Sequence, residues 1–213
     1  MSYDHVLLPS GAAATPAEVD AYLTTQDGKP AVEAIAGFAA ELDRRNGELD
    51  EIDAFLGAPA VDGAMGEVLF VSSPYDAIGH LRGVLFELAT PRGYAVYDPQ
   101  LAWLIDPAGA VPLTVNHGGA GEFPYLTKEL VELWVPELGA PGPYLIAERA
   151  DQDYIQTYRH EDGRYDLEYR AGSPDKHFAI ALGDAKLVSE LIWEWATGER
   201  ERFDSLDWQR LTF

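Results

Sequence analysis

The sequence predicts an α+β protein, with mostly antiparallel sheets and helices packed on one face. Two kinds of run carry this. Short runs of alternating or continuous apolar residues read as strands, and stripes with helical spacing lie between them. A third observation is the C-terminal order strand–strand–strand–helix–strand, a meander covered by one helix. Two units are expected: an N-terminal α+β unit at 1–140 and a C-terminal β-meander plus helix at 141–213, packed as one compact body. Gly139-Ala-Pro-Gly-Pro143 marks the boundary, because Gly and Pro crowd it.

His5–Pro9 reads as the first strand. Thr15-Pro16-Ala17-Glu18 is a capping box with proline at the first helical position. Val19, Tyr22 and Leu23 share one face of the helix that follows. A second helix runs from about Ala31, with Ile35, Phe38, Ala39 and Leu42 on its stripe. Residues 46–66 are acidic and Gly-rich and read as loop. Glu67–Ser72 is apolar enough for a central strand. The helix after Ser73-Pro74 carries Ile78, Leu81, Val84, Leu85 and Leu88, and Pro91-Arg-Gly93 ends it.

Tyr94–Asp98 and Ala102–Asp106 are two short strands, each followed by proline, and they predict a hairpin. Val111–Val115 reads as an edge strand, where Pro112 is tolerated. Asn116–Gly121 reads as a flexible loop. The next helix carries Leu126, Leu130, Val131 and Trp134 and stops before Pro136. Tyr154–His160 alternates, and Asp162-Gly163 supplies a hairpin turn. Tyr165, Leu167 and Tyr169 then face one way, and Asp166, Glu168 and Arg170 the other. Phe178, Ile180 and Leu182 line the buried face of a third strand. The last helix, from Asp184, places Leu187, Val188, Leu191, Ile192 and Trp195 on one stripe. Gly198 ends it, and Leu206–Phe213 closes as a strand.

Net charge is −21 over 213 residues, from 36 acidic and 15 basic side chains. It is spread as −9, −6 and −6 over residues 1–62, 63–150 and 151–213. Such a surface repels nucleic acid and anionic lipid and speeds association with a basic protein. There is no cysteine, which excludes disulfides and a thiolate nucleophile or ligand and fits a reducing cytoplasm. The N-terminus lacks the basic-then-apolar pattern of a leader, and no apolar run reaches membrane-span length. A cytoplasmic location is therefore expected.

Catalytic motifs are not found. Asp98 and Asp106 both precede proline, where aspartate starts turns by hydrogen-bonding the backbone. His117 reads as a solvent-facing loop histidine with no nucleophile elbow near it. Asp151-Gln-Asp153 has the Asp-x-Asp form of some metal-dependent transferases, but no phosphate-binding loop accompanies it. His160 falls at a hairpin tip, and His177 on the outer face of its strand. The sequence names no catalytic residue, metal ligand or cofactor. The partner-binding candidates are Asp151, Asp153, Tyr158, Asp166, Glu168 and Trp193, aromatic groups near acidic ones. Trp193 lies off the stripe that holds Trp195, which leaves two places for it: exposed as a partner anchor, or packed under another element of the unit.

The opening "MSYDHVLLPSGAAATPAEVDAYL", the strand "GYAVYDPQ" and the tail "LEYRAGSPDKHFAIALGDAKLVSELIWEWATGE" resemble small uncharacterised acidic proteins of high-GC Gram-positive bacteria. Some of those are similar to immunity proteins of polymorphic toxin systems. The resemblance implies association with a cognate basic toxin and supplies no catalytic residue. Two other classes stay open on the residues alone. One is a small enzyme using carboxylates and His117 in a cleft. The other is a nucleic-acid mimic that blocks a DNA-binding protein.

Overall fold

A computed structural model describes residues 2–211. It divides into two compact units, the first closing at Ala108 and the second opening at Gly109. The class is α+β, with antiparallel sheets and helices alongside.

The first unit holds β1 (Tyr3–Pro9), α1 (Pro16–Gln26), α2 (Glu33–Gly47), β2 (Ala64–Met65), β3 (Val68–Ser73), α3 (Ile78–Ala89), β4 (Tyr94–Asp98) and β5 (Trp103–Ile105). Its sheet order is β2-β3-β1-β4-β5. The first strand in sequence is thus the middle one, which its apolar run His5-Val-Leu-Leu requires. Directly opposed residues of antiparallel strands share a face. Val6, Phe70 and Tyr97 line one face, Leu7, Leu69 and Val96 the other. On the first face α1 contributes Val19, Tyr22 and Leu23 to a core with Val6, Leu8, Val68, Ala95 and Tyr97. Helices α2 and α3 lie on the second, through contacts such as Phe38 against Tyr94 and Arg82 against Asp98. Thr15 caps α1 by accepting from Glu18 N, while Glu18 reaches back to Ala14 N. The expected hairpin is β4–β5.

The second unit holds β6 (Val111–His117), β7 (Gly121–Leu126), α4 (Lys128–Glu137), β8 (Tyr144–Ala150), β9 (Asp153–Arg159), β10 (Tyr165–Ala171), β11 (His177–Leu182), α5 (Ala185–Thr197), the short α6 (Glu201–Asp204) and β12 (Gln209–Arg210). All seven strands form one antiparallel sheet in the order β12-β11-β10-β9-β8-β6-β7. Helices α4 and α5 cover one face. Tyr165 Oη donates to Val135 O of α4, and Ser189 of α5 donates to Val131 O.

Here the structure departs from the sequence reading. The Gly139–Pro143 stretch joins α4 to β8 inside the second unit, because β6 pairs with β8 across it. Close approach explains its glycines: a Cβ on Gly142 would lie 2.2 Å from Gly118 O. Strand β8 was not expected, since apolar and polar side chains fall on both its faces. The strand at Val111 is interior, lying between β8 and β7, and Pro112 sits where the register shifts. Asn116–Gly121 is the end of the β6–β7 hairpin, with Asn116, His117 and Gly121 paired in the strands and residues 118–120 the turn, not a free loop, and Leu126 belongs to β7. Helix α4 runs on to Glu137 with Pro136 in its last turn, where Arg159 donates to the carbonyls of Pro136 and Leu138. The closing strand shortens to Gln209–Arg210, and the part expected at Thr212 and Phe213 lies outside the described residues.

Candidate functional site

Strands β8 to β11 place three rows of side chains on the face opposite α4 and α5. Asp166 stands beside Tyr158, which stands beside Tyr144. In the next row Glu168, Gln156 and Ile146 are neighbours, and in the third His177, Arg170, Tyr154 and Glu148. The helix-side residues Ile155, Leu167 and Tyr169 are buried, as strand alternation requires.

Tyr158 is 47% exposed and stands between two hollows. One, of about 250 Å³, is lined by Tyr144, Ile146, Gln156, Asp166 and Glu168. The other, of about 730 Å³, is lined by Leu138, Pro141, Arg159, His160, Glu161 and Asp162, with the Arg159 guanidinium tied to the Pro136 and Leu138 carbonyls. His160 Nε2 lies 2.6 Å from Asp166 Oδ2, and its ring meets Tyr158 at 5.1 Å between centroids. Arg164 approaches the same carboxylate at 3.5 Å. The apolar floor of Tyr144 and Ile146 is thus edged by carboxylates.

The third row is a tied network. Arg170 NH2 lies 3.0 Å from His177 Nδ1, and His177 Nε2 lies 3.1 Å from Glu168 Oε2. A guanidinium can only donate, so Nδ1 accepts and the proton sits on Nε2, donated to Glu168. Gln156 Nε2 donates to the same Glu168 oxygen at 2.8 Å. Arg170 also donates to Gln152 Oε1 at 2.6 Å and lies 5.4 Å from the Tyr154 ring centroid. His177 is on the outer face as expected, yet it is buried by these neighbours.

Of the six expected residues, Tyr158, Asp166 and Glu168 come together around one groove. The others do not join them. Asp153 alternates with Tyr154 and pairs at 3.4 Å with Arg149, which packs over the Trp195 ring of α5. Asp151 lies in the exposed β8–β9 turn, where Gln152 Nε2 donates to it. Trp193 is half-buried on α5, beside Glu190, Glu194 and Arg202. Its helix packs on the other face of the sheet. Trp208, which is not among the six, donates to Phe203 O and packs on Tyr169. Tyr144 and Ile146 were missed with β8, whose available signal was the continuous apolar run Tyr144-Leu-Ile-Ala147.

The carboxylate–histidine readings change as well. His117 is buried at the end of β6, edge-on to Trp134 of α4, and its Nδ1 accepts from Gly119 N. Pairing carried two residues beyond Val115, through Asn116 to His117, withdraws it from solvent. Asp98 belongs to the first unit and is fully buried. Its Oδ1 accepts from the backbone N–H of Gln100 and Leu101, each at 3.1 Å, which makes the turn. Its Oδ2 accepts from Tyr3 Oη at 2.6 Å and Arg82 NH2 at 2.8 Å. The Tyr3 hydroxyl is pushed above its usual range by burial, and then by Asp98. His5 is held down to about 4, first by burial and then by Arg82, with Asp98 pulling the other way. Asp106 is a turn former too, accepting from Ala108 N and tying down Ser10 and Gly11.

Among the described residues no group of three or more His, Asp or Glu could hold a metal ion, and no helix is long and apolar enough to cross a membrane. Compared with protein-family models, curated proteins and solved structures, the chain finds no match in any of the three.

Proposed function

We propose that this chain is a binding protein that takes a basic protein partner onto the outer face of β8–β10, as an immunity protein neutralises its toxin in the cytoplasm. The observation that carries this reading is Tyr158, half exposed between two hollows edged by Asp166, Glu168, Glu161 and Asp162. An aromatic anchor surrounded by carboxylates suits a loop bearing Lys or Arg and an apolar residue. The net charge of −21 steers such a partner from a distance. The resemblance to immunity proteins supports the same class of function.

The test is co-purification with the product of the adjacent reading frame, followed by calorimetry at low and high salt. A complex that weakens with salt and with Tyr158→Ala supports the proposal. Absence of a complex at micromolar concentration in low salt overturns it. Short duplex DNA as competitor separates it from mimicry of nucleic acid, which requires the two to displace one another.

A further inference from the structure

A groove of about 520 Å³ opens in the first unit, on the face of the sheet that carries α1. That volume suits a small ligand or one long side chain. Its apolar part is Val6, Leu23, Phe70 and Tyr97, and its rim carries Asp4, Asp20 and Asp62. None of the described residues lining it is Lys, Arg or His. The carboxylates come from three separate elements, β1, α1 and the 3-10 turn Ala60–Gly63. Asp20 and Asp62 take part in no side-chain hydrogen bond or ion pair among the described residues.

Two further facts separate this groove from a merely solvated acidic surface. Tyr97 is only 6% exposed and its ring belongs to the core under α1, but its hydroxyl is not among the buried unpartnered polar atoms, so the little surface it shows lies in the groove. Burial, and then the Asp20 carboxylate, push that hydroxyl above its usual range, so it stays protonated beside Asp20 and is free to donate or accept. The wall bearing Asp62 is held in place. Asp43 of α2 accepts from Ala60 N and Val61 N. Gly63 lies so close to β3 that a Cβ there would fall 2.0 Å from Phe70 O. A held wall keeps its carboxylate over the apolar floor before any ligand arrives.

We propose that this groove binds an organic cation, an ammonium or guanidinium group on a short aliphatic stem. The stem lies on Leu23, Phe70 and the Tyr97 ring, and the charge sits among Asp4, Asp20 and Asp62. The aromatic faces add cation–π attraction, and the Tyr97 hydroxyl takes one N–H of the ligand. This chemistry has two sources, a free amine or the Arg or Lys side chain of a polypeptide.

The test follows backbone amide signals of the full chain by NMR during titration with agmatine, with a blocked Gly-Arg-Gly peptide, and with 1-pentanol as the uncharged control. Saturable shifts at Asp20, Phe70 and Ser72 are expected with agmatine or the peptide. The double variant Asp20→Asn/Asp62→Asn weakens them about ten-fold, as loss of two charge contacts should. Both carboxylates are exposed, so this variant keeps the wild-type fold, and its binding is read at Phe70 and Ser72. Tighter binding of agmatine assigns the site to a free amine, and tighter binding of the peptide to a polypeptide side chain. The proposal is overturned if neither cation shifts these signals, if 1-pentanol matches them, or if the double variant binds as the wild type does.

Discussion

Arg82, on α3, donates a 2.8 Å hydrogen bond to Asp98 at the end of β4, and both side chains are shut away from solvent. A buried pair of this kind is costly to break from one side, because the remaining charge stays desolvated. Arg82→Met is therefore expected to lower stability by about 3–5 kcal/mol in urea unfolding. Adding Asp98→Asn to that variant returns part of the loss, since no charge is then stranded. If the double variant is less stable than Arg82→Met alone, the pair is not what governs this site.

His5 shares that buried space and is held down to about 4 against an ordinary 6.5. A histidine lowered on folding takes its proton more readily in the unfolded chain. Stability is unaffected by it above about pH 6.5 and falls as pH drops toward 4, by on the order of 3 kcal/mol in total. Unfolding curves at pH 7.0, 5.5 and 4.5 measure this for wild type and His5→Gln. The variant is expected to show a flatter acid limb. Identical slopes would remove His5 from the account.

Tyr158 and Trp193 are both among the six partner-binding candidates, and the sheet parts them. Trp193→Ala is expected to leave partner affinity unchanged, whereas Tyr158→Ala or Asp166→Lys weakens it about ten-fold or more, roughly 1.4 kcal/mol. Calorimetry on the three variants decides the side of the sheet that binds. Equal losses for Trp193→Ala and Tyr158→Ala would move the interface.

Gly142 and Gly118 pack backbone to backbone where β6 ends and β8 begins. Gly142→Ala puts a methyl group 2.2 Å from Gly118 O and forces the two segments apart. A loss of about 1–3 kcal/mol is expected, as for other overpacked sites. Thermal unfolding measures it, and a neutral substitution would mean that the turn yields freely.

Local chemistry was legible wherever one stripe or one turn decides the outcome. The Ile35–Leu42 stripe, the Thr15 cap, the Asp162-Gly163 turn and the alternation of Tyr165–Arg170 all appear as read. Asp98 was legible as a turn former, because that role needs only its next three residues. Its second oxygen was not, since Tyr3 and Arg82 reach it from 95 and 16 residues away.

The sequence by itself determined the α+β class, the surplus of negative charge and the acidic side of β10. These follow from composition and from periodicity within single segments. Only the tertiary structure decided that β8 joins β6 to β9, that Gly139–Pro143 lies within a unit, and that His117 is buried. Strand neighbours and sheet faces depend on pairing between distant segments, and a single strand with apolar residues on both sides does not announce its partners. The same pairing gathers Tyr158, Asp166 and Glu168 around one groove and leaves Trp193 on the helix side of the sheet.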